Sequence, residues 1–408
     1  MTSSTLQTDY AGKRGALFKL ALWSSVLTVL TAGFYRFWMK TRLRRYYWSA
    51  IRPGGQPLEY VGEPLEKLLG FLIAVTFLAF YIGIVNLLLM FLSFSIMNNN
   101  LWAYGFSFVG ILPILFFARY RARRYILART RWRGVRLGME QGAWGYTWRA
   151  LLHWGVTILS LGLLWPRMTF WLEKYRTDRT YFGSERFNQG GKWTMLYRPM
   201  LHIYVPALAM AAIALWVYFS ASAASDSIDD TLLALEGYEN LAFSLLLFPW
   251  FVFGLAYFSA KSFERLTNAK TVGPIGFISK PRPWRVFWIY AFGYGLISIA
   301  LTLLIGAVGI VFFALIGDYG PDVFDENLAL ATPPLWMLTA VSMLSYFAIF
   351  ILWGALKHVL VTLPLARHFA ETLQITGSES LSDIAQRDRD ELDQAEGFAE
   401  ALDVGAAL

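Results

Sequence analysis

Arginine is the chemistry this chain has most of, and it comes in runs. Between Arg119 and Arg136 stand eight, at 119, 121, 123, 124, 129, 131, 133 and 136, interleaved with Tyr120, Tyr125 and Trp132 and with no acid. A shorter run, Arg42, Arg44 and Arg45, leads into Tyr46 and Tyr47. A guanidinium is a planar fork that matches phosphate oxygens, and aromatic rings sit well at the boundary between water and hydrocarbon. Arg44, Arg45, Arg123, Arg124, Arg131, Trp132, Arg133 and Arg136 are therefore candidate contacts for a lipid headgroup or an anionic solute. Two further polar groups fall within apolar stretches. Asn86 is placed for a hydrogen bond between helices, and His153, beside Arg149 and Trp154, suits an interface.

Other chemistries find no support. There is no cysteine, so disulfides, thiolate catalysis and cysteine-held metals are excluded. His153, His202, His358 and His368 lack metal-ligand spacing, and no HExxH, GxSxG or phosphate-loop pattern occurs. Gly54-Gly55 and Gly190-Gly191 read as turns. The expectation is a protein that is not an enzyme and carries no metal or cofactor. The net charge of +8 is gathered beside apolar segments, which points to anionic phospholipids as partners and not to nucleic acid. Protein partners are not legible.

The elements that must position these groups are membrane segments. Hydrophobic residues make up 56% of the 408 and charged residues 16%, against about 25% charged in soluble domains. Apolar segments run over 16–39, 68–92, 101–118, 149–165, 200–220, 240–259, 286–316 and 334–356. The connections at 36–52, 119–136, 167–198 and 261–285 are basic, which places them in the cytoplasm. Those at 93–100, 221–239 and 317–333 carry no Lys or Arg and face outside, giving three outward hairpins.

Segments 16–39 and 149–165 have basic residues at both ends and a break in their second half, Thr31-Ala32-Gly33 in one and Leu161-Gly162 with Pro166 in the other. Re-entrant or interfacial hairpins are favoured over two further spans, since spanning would put a strongly basic region outside. The divisions expected are a cytoplasmic N-terminus over 1–15, a multi-span region over 16–370 and an acidic cytoplasmic tail over 371–408.

Internal repeats reinforce this plan. Arg42-Leu43-Arg44-Arg45-Tyr46 recurs as Arg121-Ala122-Arg123-Arg124-Tyr125, and looser copies follow at Lys174–Phe187 and from Lys261. Each copy passes from an apolar segment through a basic aromatic helix end into a short turn or hairpin. The fold class expected is all-α, a polytopic helical membrane protein with internal repeats and short cytoplasmic turn or β-hairpin elements.

Four passages carry a resemblance: Thr31–Trp38 running into Arg44-Arg45-Tyr46-Tyr47, Thr130–Gly138, Leu159–Pro166 and Phe182–Phe187. Through them, from about residue 14 to 376, the sequence resembles the YjgN-like family of bacterial inner-membrane proteins, a family of unknown function. It departs from the pattern at Leu137, where phenylalanine is usual, and in its acidic tail. The resemblance implies a multi-pass protein of the bacterial cytoplasmic membrane and supplies no catalytic residue, substrate or cofactor. Two functions stand open: a transporter or channel-like protein for a small solute, and a non-transporting scaffold or lipid-interacting protein.

Overall fold

The structure, a computed structural model, describes residues 5–81, 83, 84, 87–97, 110, 112–223, 245–316 and 335–387. Its strands are β1 (Thr5–Tyr10), β2 (Ile51–Pro53), β3 (Leu58–Tyr60), β4 (Thr130–Trp132), β5 (Val135–Met139), β6 (Thr180–Phe182), β7 (Glu185–Gln189), β8 (Lys270–Val272), β9 (Ile275–Ser279) and β10 (Leu373–Thr376). The all-α expectation is overturned here. All ten strands join in one antiparallel sheet, in the order β2-β1-β10-β9-β8-β7-β6-β5-β4-β3, which curls until its edges β2 and β3 are neighbours and the barrel nearly closes. The repeats do make hairpins, but the hairpins are not isolated. Each pairs with the next across long stretches of chain, as in Leu137↔Phe182, Phe187↔Val272 and Ile375↔Phe277. Strands of three to six residues are too short to show an apolar–polar alternation in the sequence, and their partners lie far away along the chain.

Three hairpins have tight two-residue turns. In one, Arg133 and Gly134 both take left-handed backbone, φ 51° and 79°, which matches the twist of the strands it joins. β2 and β3 have a longer connection and do not pair. The fifth unit of the sheet is made by the two ends of the described chain, β1 against β10, with Leu6 opposite Ile375. Because side chains alternate along a strand, one face of every hairpin points inward. Trp132, Phe182, Val272, Ile275 and Ile375 pack there as a buried core, with Leu6, Leu58, Val135, Leu137, Phe187 and Phe277 against them.

Helices lead into and out of each hairpin. In chain order they are α1 (Arg14–Leu30), α2 (Arg36–Ala50), α3 (Pro64–Tyr81), α4 (Leu87–Met97), α5 (Leu112–Ala128), α6 (Ala143–Leu159), α7 (Trp165–Thr177), α8 (Tyr197–Ala223), α9 (Phe248–Asn268), α10 (Pro283–Ile316), α11 (Leu335–Lys357) and α12 (Leu363–Glu371). Among the described residues their principal contacts run between neighbours around a ring, with α11 returning to pack on α1. Among the described residues, five helical stretches are long and apolar enough to cross a membrane: Pro64–Tyr81, Trp193–Phe219, Leu245–Asn268, Pro283–Ala314 and Trp336–Glu371. Their surfaces are apolar with little burial inside the protein, as lipid contact requires.

Two helix pairs are shorter. The apolar segment 16–39 is not one helix: α1 ends, the chain reverses and α2 returns to the sheet; α6 and α7 do the same over 149–165. The two reversals share one geometry. Ala32 and Gly33 have φ of 49° and 93°, Leu161 and Gly162 of 51° and 86°. The Gly33 amide donates to the Thr28 carbonyl at 2.7 Å, and the Gly162 amide to that of Thr157 at 2.8 Å. The Ala32 and Leu161 amides donate to Val29 and Ile158, completing the paired bonds of a Schellman turn at the first site and a near copy at the second.

Beyond α12 the chain does not leave the sheet. Residues 373–376 form β10, Ser378–Asp383 coil into a 3₁₀ turn, and Ile384 and Leu381 join the apolar core inside the sheet. The part of the acidic tail from 388 onward lies outside the described residues.

Candidate functional site

The basic residues at the helix ends turn out to be clamps on the sheet. Arg45 Nη2 donates to the Gly62 carbonyl at 3.0 Å, and Arg124 Nε to that of Met139 at 2.9 Å. Lys174 Nζ reaches the Gln189 carbonyl at 2.8 Å, and Arg367 Nη2 that of Gly12 at 2.9 Å. Each clamp stands six residues ahead of its strand's first residue, Ile51, Thr130, Thr180 and Leu373 in turn. Each ties the helix entering a hairpin to the chain leaving it. A charge-assisted hydrogen bond to a main-chain carbonyl holds more strongly than a neutral one. The fourth hairpin departs from the rule: Glu264 occupies the position and binds Lys261, while Asn268 Oδ1 accepts from the Ser279 amide at 2.6 Å.

One step along the repeat lies a largely buried carboxylate. Glu173, on α7, binds Lys270 Nζ at 2.7 Å and Arg176 Nη2 at 2.7 Å, with Arg123 Nη1 at 3.4 Å and the Thr177 hydroxyl at 3.3 Å. Burial alone would raise its pKa. Lys270, Arg123 and Arg176 outweigh that and hold the carboxyl well below the usual carboxylate range. Lys270 lies two residues before Val272 on β8 and so shares its inward face, which sets the cluster directly above the apolar core. Three elements from three successive repeats meet there. The sum of its charges is three positive against one negative.

The eight candidate residues do not form one surface. Arg45 and Arg124 are clamps, and Arg44 donates to the Tyr60 hydroxyl at 3.3 Å with its guanidinium over that ring. Arg123 faces Glu173. Trp132 is a core residue 5.8 Å from Phe182, and Arg133 lies over its ring at 5.2 Å from the turn. Arg131 pairs in register with both Glu59 and Arg136. The Arg136 amide donates to Gln386 Oε1 at 2.9 Å, the Ser184 amide to the Ala385 carbonyl at 2.9 Å, and Arg387 covers the Tyr181 ring. Gly183 leaves no room for a side chain beside that Ala385 carbonyl. The tail is thus bound to β5 and to the turn between β6 and β7.

His153 sits on α6, its carbonyl taking the Thr157 hydroxyl at 2.6 Å, and Asn86 lies outside the described residues. Among the described residues no group of three or more potential metal ligands comes together. Glu173, Lys270, Lys174 and Arg367 escaped the reading of the sequence. Aligning the repeats on their strand starts would have found the last two; nothing local marks Glu173 apart from its place among cations.

Residues 5–401 match a family described as a bacterial protein of unknown function, DUF898. The inner membrane protein YjgN of Salmonella typhimurium is 28% identical over 141 residues, 34% of this chain and 33% of that protein. The alignment thus spans about a third of the length of that curated relative. No solved structure matches.

Proposed function

The chain belongs to the DUF898 family of bacterial proteins of unknown function, and from that premise we propose that it is a non-enzymatic, multi-pass protein of the bacterial cytoplasmic membrane that holds lipid without opening an aqueous path. The observation carrying this reading is the apolar core inside the sheet. Side chains from strands all round the sheet fill its interior, and Leu381 and Ile384 complete the filling. A hydrated solute crossing there would shed its water against hydrocarbon, at a cost of several kcal/mol per polar group. The helices above offer apolar surface, which suits acyl chains. The sheet faces the cytoplasm in this reading, since the basic runs lie at it. The name of the Salmonella relative supports the same membrane.

Transport of a small anionic solute is the competing reading. It draws on the ring itself, whose principal helix contacts run between neighbours and not across it. Purification in mild detergent followed by lipid mass spectrometry, with solute flux in proteoliposomes, separates the two. The expected result is co-purified phospholipid enriched in anionic headgroups over the source membrane, and flux no greater than in empty vesicles. Saturable uptake of a small anion would overturn the lipid-holding reading.

A further inference from the structure

We infer that the Glu173 cluster is an anion seat, in which Arg123, Arg176 and Lys270 receive a phosphate group in addition to the carboxylate they already hold. Its four members come from α5, α7 and β8 and converge on the inward side of the sheet, above the apolar core. The carboxylate accepts from Arg123, Arg176, Lys270 and the Thr177 hydroxyl. The three cations are 20–31% exposed, so they are partly desolvated and still reachable.

Two features separate this from an ordinary ion pair. First, the charges do not balance. One carboxylate against three cations leaves two positive charges close together in partial burial, where mutual repulsion is stronger than in water. Nearby Lys174 offers no further need, since Asp178 neutralises it at 2.9 Å. Second, donor capacity is unspent. Arg123, the most exposed of the three, reaches Glu173 only at 3.4 and 3.5 Å, at the long limit for a hydrogen bond. A phosphate oxygen supplies the missing acceptor and the missing charge together. Guanidinium forks are the geometry that phosphate takes best.

The ligand chemistry is a phosphate monoester or diester, carried on a lipid headgroup or free in solution. The headgroup source rests on the lipid-holding reading above; the free source does not. The test uses the full chain in nanodiscs of phosphatidylcholine, with and without phosphatidylglycerol, and separately titrated with inorganic phosphate. The readout is the thermal unfolding midpoint and the apparent affinity drawn from it.

Wild type is expected to gain stability with phosphatidylglycerol. Arg123→Gln should weaken the apparent affinity about tenfold, and Lys270→Gln likewise, as loss of one charge-assisted bond implies. Lys270→Arg, which keeps the charge, should retain the response. Glu173→Gln gives the opposite sign. It lowers the midpoint in phosphatidylcholine alone yet strengthens the response to the anion, because a third cation is released. A purely structural cluster would lose stability in every variant with the anion response unmoved, and that result overturns the seat. A response to inorganic phosphate without one to phosphatidylglycerol keeps the seat and sinks the headgroup source. A phosphatidylglycerol response that none of the variants alters leaves the lipid-holding reading standing and sinks the seat.

Discussion

Glu173 is the residue on which most of the polar architecture turns, and its titration follows from its neighbours. Its folded-state pKa lies below the value of about 4.5 that an unpaired glutamate has. Between those two values the unfolded chain binds the proton and the folded chain does not, so stability rises with pH through that window. The contribution is complete above about pH 5 and drains away as pH falls below the ordinary carboxylate range. Thermal midpoints measured from pH 7 down to pH 3 should fall more steeply for wild type than for Glu173→Gln; parallel curves would contradict the assignment. Ala32 supports a second prediction at this scale. A non-glycine residue in left-handed backbone costs about 1 kcal/mol, and the Ala32 side chain is exposed. Ala32→Gly should raise stability by about that amount, read from the unfolding midpoint in detergent. Neither residue announces itself in the sequence. Ala32 is legible as part of a helix break through Gly33, but its backbone strain is not, and Glu173 is legible only as one acid in a basic run.

At the scale of elements, helices were easier to read than strands, for a physical reason. An apolar run of some twenty residues is decided locally, by hydrocarbon thickness. The segments 200–220 and 286–316 accordingly fall within helices α8 and α10, and the described part of 334–356 lies in α11. Strands as short as Ile51–Pro53 are decided by partners elsewhere, Asp9 opposite Arg52 for instance. A hairpin could be inferred at each repeat, whereas the pairing that makes one sheet of five could not. The tail shows the same limit. Its acids suggested a solvated extension, yet Ile384, an isolated apolar residue among them, is buried to 8% exposure against Trp132 and Phe182. Ile384→Ala should cost about 2–4 kcal/mol, the usual range for truncating a buried isoleucine. Chemical unfolding in detergent checks it, and a change below about 0.5 kcal/mol, the size of an ordinary surface effect, would mean the segment is not held in the core.

For the whole molecule, the distinguishing feature is that long and short helix pairs stand on one sheet. α1 and α6 have 17 residues each, about 26 Å of helix at 1.5 Å per residue, against about 30 Å of hydrocarbon. Part of that length is spent at the sheet, so the turns at Gly33 and Gly162 should stop within the bilayer. Single cysteines make this measurable, because the chain has none of its own. A cysteine at Ser49 should react with a charged thiol reagent only after the cells are opened, and one at Ser222 in intact cells. One at Leu161, 93% exposed in the protein, should react in neither, because its surroundings are lipid. Labelling of Leu161→Cys from outside would show that the short pair crosses. The closure of the sheet carries a different consequence, for biosynthesis. β1 leaves the ribosome before all the helices described above, and its partner β10 follows more than 360 residues later. That strand must therefore wait, with β2 as its other partner, while the helices between β1 and β10 are inserted. Its union with β10 has to follow their insertion, so a premature stop upstream of β10 leaves an open arc with bare strand edges for quality control to find.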